Sequence, residues 1–215
     1  MKKSINFASL SKLMLIIAAA VVVAGIALLA ILGGNTFAYC SFANLSFSLV
    51  AKVAVAAVLV CALVLVYFVI RFKKSGVMMA VVSTIGAAVN ALVAFALCII
   101  CRANLSDMAF AVVLFAVALS YITFVLFAHS FTKKTSRKKA AEPEVDAFSV
   151  AADKVWQLMV IMLILICVVI VAAFVASLVF SAWVLALYAL PAILTAVFSV
   201  LFTLSFTCKL YADKA

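Results

Sequence analysis

The stretch VWQLMVIMLILICVVIVAAFVASLVFSAWVLALYALPAILTAVFSVLFTLSFTC, Val155 to Cys208, holds no charged side chain. As a single helix, at about 1.5 Å per residue, it would reach about 80 Å, more than twice the ~30 Å hydrocarbon core of a bilayer. It must therefore fold back on itself as two helices of membrane length, and Phe180-Ser181-Ala182-Trp183 is the place for the turn. Trp183 at that turn and Trp156 at the start of the pair suit the two aromatic belts of a membrane interface.

The rest of the chain has the same character. Of its 215 residues, 72% are hydrophobic and 10% charged, and the mean hydropathy is +1.48. A soluble domain is about half apolar and a quarter charged. Water offers no fold that hides this much apolar surface, whereas lipid accepts it provided each backbone is bonded inside its own helix. Apolar runs of spanning length fall at about 13–32, 49–70, 76–100, 108–130, 155–179 and 182–207. The sequence thus predicts an all-α, polytopic membrane bundle of six transmembrane helices forming one domain over residues 1–215. The first run follows Lys2 and Lys3 as a secretory signal would. It exceeds the roughly 7–15 apolar residues of such a signal and lacks an A-x-A cleavage site, so it reads as a retained helix.

Lys and Arg in short loops stay on the cytoplasmic side. With the N-terminus inside, the inner segments hold Lys2, Lys3, Lys12, Arg71, Lys73, Lys74, Lys133, Lys134, Arg137, Lys138, Lys139, Lys154, Lys209 and Lys214. Only Lys52 and Arg102 of the 16 basic residues fall outside. The expected topology is N-in and C-in, multi-pass in the bacterial plasma (inner) membrane, with the lipid bilayer as the first partner. The same distribution explains the net charge of +10 without any nucleic acid. Residues 132–154, basic and then acidic around Pro143, are expected to form a cytoplasmic polar loop.

Proton-coupled machines keep ionisable groups inside the membrane, where they titrate or pair. None lies in the core of these six runs: Lys52 and His129, the one histidine, sit near helix ends. A single His and cysteines dispersed at Cys40, Cys61, Cys98, Cys101, Cys167 and Cys208 make no usual metal-ligand set, so no metal and no other cofactor is expected. Cys98 and Cys101 form a C-x-x-C with Cys40 in the preceding outer loop, which keeps a thiol oxidoreductase in view. The pair lies at the C-terminal end of its helix, however, where the macrodipole disfavours a thiolate. Uncharged polar residues do lie at depth: Ser83, Thr84, Asn90, Ser120, Tyr121, Thr123, Thr195 and Ser199. They are either hydrogen-bonding glue between helices, worth about 0.6 kcal/mol each, or the polar lining of a ligand site, with Asn90 and Tyr121 the first pair to test. Lys133, Lys134, Arg137, Lys138 and Lys139 either contact anionic lipid headgroups or serve only to anchor the topology.

Asn6-Phe7 followed by Leu10-Ser11-Lys12, a first helix ending in Gly33-Gly34, and Tyr67-Phe68-Val69-Ile70-Arg71-Phe72 closing the second helix resemble the corresponding parts of SecF, a six-helix accessory subunit of bacterial protein export. Phe127 and His129 sit where an F-D-R sequence would end that family's fourth helix. The resemblance spans most of the chain and implies a membrane scaffold beside a translocon or a SecD-like partner. Two family features are missing. A short loop replaces the folded outer domain, and the intramembrane His-Asp pair and Asp fall at Gly86-Ala87 and Ile122. The resemblance thus implies a non-enzymatic subunit without proton coupling of its own. The rival roles are a small-solute carrier or the substrate-binding membrane subunit of a vitamin importer, and the Cys98/Cys101 oxidoreductase.

Overall fold

The computed structural model describes residues 7–32, 47–72, 76–101, 107–137, 144–179 and 183–212. They form six helices: α1 (Phe7–Leu32), α2 (Phe47–Phe72), α3 (Gly76–Ile100), α4 (Asp107–Arg137), α5 (Glu144–Val179) and α6 (Trp183–Ala212). Each apolar run coincides with one helix. Five of the six, all but α2, contain apolar stretches of 22 to 28 residues, long enough to cross a membrane. α2 has 26 residues, or about 39 Å of helix. Breakers are scarce within these helices. Pro191 lies inside α6, which runs unbroken through it. Neighbouring helices and local adjustment make such a proline tolerable in a lipid setting.

The expected loop over 132–154 is corrected by the structure. α4 continues to Arg137 and α5 already begins at Glu144, which leaves only a short connection. Polarity suggested a loop, yet the residues are mostly competent helix formers. Glu144 and Asp146 fall in the first turn of α5, and Lys133, Lys134 and Arg137 in the last turns of α4. Acidic residues at a helix start and basic residues at its end are where the macrodipole favours them.

Three apolar clusters define the bundle's ends. Phe127, Ala152, Val155, Met159, Leu204 and Cys208 join the end of α4, the start of α5 and the end of α6. Phe68, Met79, Ala80, Phe124 and Ala128 join the end of α2, the start of α3 and the end of α4. At the opposite pole Cys98, Ile99, Ala109, Val112 and Tyr188 gather with Leu28 and Leu29. Successive helices therefore alternate in direction, and Lys12, Arg71, His129, Asp153, Lys154 and Lys209 share one end of the molecule.

α6 packs against α1, α3, α4 and α5, and α3 against α1, α2, α4 and α6. Helices at the rim bury one stripe: Ser11, Met14, Ala18 and Gly25 on α1, and Ala152, Val155, Met159 and Leu163 on α5. The three- and four-residue spacing is that of one helix face. On α6, by contrast, the consecutive residues Phe202, Thr203, Leu204 and Ser205 are all buried, so this part of the helix is surrounded. Gly25 allows α1 to approach α3 closely: a Cβ there would lie 2.9 Å from the Ala96 Cβ. Gly76 does the same for the α2–α3 turn, where a Cβ would run into the Phe68 carbonyl oxygen. Phe68, fully buried, meets Phe124 edge-on at 5.4 Å and stacks on Phe72 at 5.6 Å, fixing the end of α2 against α4.

Candidate functional site

α6 carries a hydroxyl at every fourth residue, Thr195, Ser199, Thr203 and Thr207, and all four are buried. Residues four apart lie one above another on a helix, so they make a polar seam along one face. α3 and α4 supply its partners. The Asn90 amide donates from Nδ2 to Thr203 Oγ1 at 3.0 Å. Ser120 Oγ lies 3.0 Å from the same Thr203 oxygen. One threonine of α6 thus ties α3 to α4 in the bundle centre.

A second polar chain crosses α2, α4 and α3. The Tyr121 hydroxyl donates to Thr84 Oγ1 at 3.4 Å, and Thr84 in turn donates to the Ala80 carbonyl at 2.8 Å. Cys61 Sγ lies 3.4 Å from the Tyr121 oxygen. A phenol has one proton, and here it goes to Thr84, so the Cys61 thiol is the donor in its contact with Tyr121. The order Cys61, Tyr121, Thr84, Ala80 is a directed set of hydrogen bonds that ends on a backbone carbonyl and involves no ionised group.

Two of the remaining expected polar residues are occupied locally. Ser83 donates to the Ala80 carbonyl at 2.8 Å and Thr123 to the Leu119 carbonyl at 2.7 Å. Of the eight, Asn90 and Ser120 meet at Thr203, Tyr121 and Thr84 meet each other, and Thr195 and Ser199 stand on the α6 seam, so they form separate groups rather than one lining. Thr203 and Cys61 join these groups from outside the polar residues that the sequence marks at depth. The four-residue hydroxyl repeat of α6 was a legible signal for Thr203; nothing in the sequence singled out Cys61. Lys133, Lys134 and Arg137 lie on the last turns of α4, while Lys138 and Lys139 are outside the described residues, as are Cys40, Arg102 and the turn at 180–182.

The buried polar side chains among the described residues are Ser, Thr and Asn, with no Asp, Glu, Lys, Arg or His. Nor do three or more His, Cys, Asp or Glu side chains gather as a metal site among the described residues. Cys98 is fully buried in the apolar cluster with Ile99 and Tyr188, Cys101 is half-buried at the helix end, and both are free thiols. Burial pushes the Cys101 thiol above its ordinary range, opposite to the lowered value that reactive thiols need.

An apolar cleft of about 320 Å³ opens between α4, α5 and α6, lined by Ala111, Phe115, Ile170, Ala173, Tyr188 and Ala192 among others. Alanines on all three helices make the room. Neither Asn90 nor Tyr121 lines it. The chain matches no protein-family model, no curated protein and no solved structure. The described residues form a multi-pass bundle of apolar helices, five of them long enough to cross a membrane, and no ionised side chain is buried among them.

Proposed function

We propose that this protein is a non-enzymatic, SecF-like subunit of the bacterial plasma membrane that crosses six times with both termini inside. It acts by packing against other membrane proteins, with a SecD-like or translocon component as partner. The observation that carries this reading is that no ionised side chain is buried among the described residues. Such an interior holds helices together and leaves no means of driving transport with protons. The grouping of Lys12, Arg71, Lys154 and Lys209 at one end supports an inner side there. The outer faces supply ample contact surface: Ile164, Leu165, Val168, Val169 and Val171 of α5 are all exposed.

Photo-crosslinking from position 168 or 171 in cells tests the reading, and an adduct with a second membrane protein is expected. A chain that stays monomeric after crosslinking and after mild detergent extraction refutes it. Topology is tested with Ser136→Cys in a background whose six native cysteines are replaced by serine or alanine; it should react with an impermeant maleimide only once the membrane is opened. A second reading, a carrier for a small apolar solute, has the cleft by Tyr188 in its favour, since its volume lies at the lower end of small-molecule sites.

A further inference from the structure

Among the described residues, three polar atoms in the bundle centre are fully enclosed yet make no hydrogen bond: Asn90 Oδ1, Thr195 Oγ1 and Ser199 Oγ. Their residues are 0%, 1% and 0% exposed. Six other helix-borne hydroxyls satisfy themselves on their own backbone. Thr84, Thr123 and Thr207 bond the carbonyl four residues back, and Ser83, Ser177 and Ser205 the one three back. Thr195 and Ser199 do neither. Native proteins seldom leave such groups unmet, because the desolvation is then uncompensated.

The three atoms belong to one seam. Thr195, Ser199 and Thr203 rise along a single face of α6, and Asn90 is fastened to that face through its bond to Thr203. A carboxamide has the same shape either way round, so whichever end meets Thr203, the other is left over. Four residues of helix rise about 6 Å. A group that bonds two hydroxyls at about 2.8 Å from each spans nearly that distance. The spacing between Thr195 and Ser199 thus suits one bridging oxygen. That between Ser199 and the Asn90 amide at Thr203 suits another.

We infer that the seam between α3 and α6 is an internal hydration site, in which water molecules bridge Thr195 to Ser199 and Ser199 to the free end of the Asn90 amide. Water meets the inventory of needs: it accepts from a hydroxyl, donates to the amide oxygen, and brings no charge to a place where the described residues bury none to balance it. Buried water makes two to four such bonds where polar groups are otherwise unmet. A bound monovalent cation would need more oxygen ligands than these three and would leave its charge uncompensated.

The test compares full-length wild type, Thr195→Val, Ser199→Ala and the double variant, purified and placed in lipid nanodiscs. Thr→Val keeps the volume and Ser→Ala removes a single oxygen, so packing is nearly constant. Removing a hydroxyl that is bonded to water should lower the melting temperature by roughly 2–4 °C per site. Melting at or above the wild-type value overturns the inference, because that is how a dry, unpartnered hydroxyl behaves when deleted. Should the variants fail to fold, water-edited solid-state NMR on the wild type decides. Rapid polarisation transfer from water to Thr195 and Ser199 is expected, and transfer no faster than at Ala196 and Val200 refutes it. Melting in sodium, potassium and choline chloride should coincide. A sodium- or potassium-specific rise that the variants lose would make the occupant a cation and overturn the assignment to water.

Discussion

Two glycine-to-alanine changes in this bundle should have opposite signs, and the contrast measures how tightly α1 is held. A Cβ at Gly86 would meet Phe206 Cδ1 at 3.8 Å and Ser120 Oγ at 3.9 Å, ordinary contacts. Gly86→Ala should therefore show only the helix-propensity gain of about 0.5–1 kcal/mol. A Cβ at Gly25 would lie 2.9 Å from Ala96 Cβ and 3.1 Å from Ala96 Cα. Relieving an overlap of about 1 Å separates α1 from α3. If roughly twenty carbon pairs at about 0.15 kcal/mol each lose two-fifths of their attraction, the loss is about 1.2 kcal/mol. This lies within the usual range of about 1–3 kcal/mol for overpacking. Gly25→Ala should accordingly unfold about 1–3 kcal/mol more easily than Gly86→Ala. Adding Ala96→Gly to Gly25→Ala should restore part of the loss, since it removes the 2.9 Å contact but leaves the one at Cα. Denaturant unfolding in mixed micelles, followed by circular dichroism, reads all four proteins. The reasoning fails if Gly25→Ala equals or exceeds Gly86→Ala in stability.

Phe68→Ala empties a fully buried site between α2, α3 and α4 and should cost about 3–5 kcal/mol. Protease sensitivity after Phe72 should rise with it, and an unchanged digestion pattern would contradict the view that Phe68 anchors α2. Cys101, whose thiol burial holds above its ordinary range, should react slowly with iodoacetamide near neutral pH in a variant retaining only this cysteine. Because only the thiolate attacks, the rate should keep rising beyond the pH at which a free cysteine peptide levels off. A midpoint at or below that of the peptide would refute the burial argument.

The sequence by itself determined the helices and the absence of charge between them. Spanning length depends on local composition alone, so the runs at 76–100 and 155–179 end where α3 and α5 end. The absence of Asp, Glu, Lys, Arg and His from the middle of each run needs no neighbours to be seen. Residues 132–154 misled, because polarity stood in for loop while Lys, Arg, Ala and Glu favour helix at the ends of α4 and α5. Only the tertiary structure decided which faces are inside. In a water-soluble bundle the apolar stripe marks the core, but these helices are apolar all round, and a lipid-facing Ile164 reads like a buried Leu163. Hence the partnership of Asn90 and Ser120 with Thr203, the meeting of Cys61 with Tyr121, the approach of Gly25 to Ala96 and the cleft by Tyr188 were decided by packing. Each depends on which helix comes to lie opposite, and when every side is equally oily that choice is made by the small residues and hydroxyls that let backbones meet.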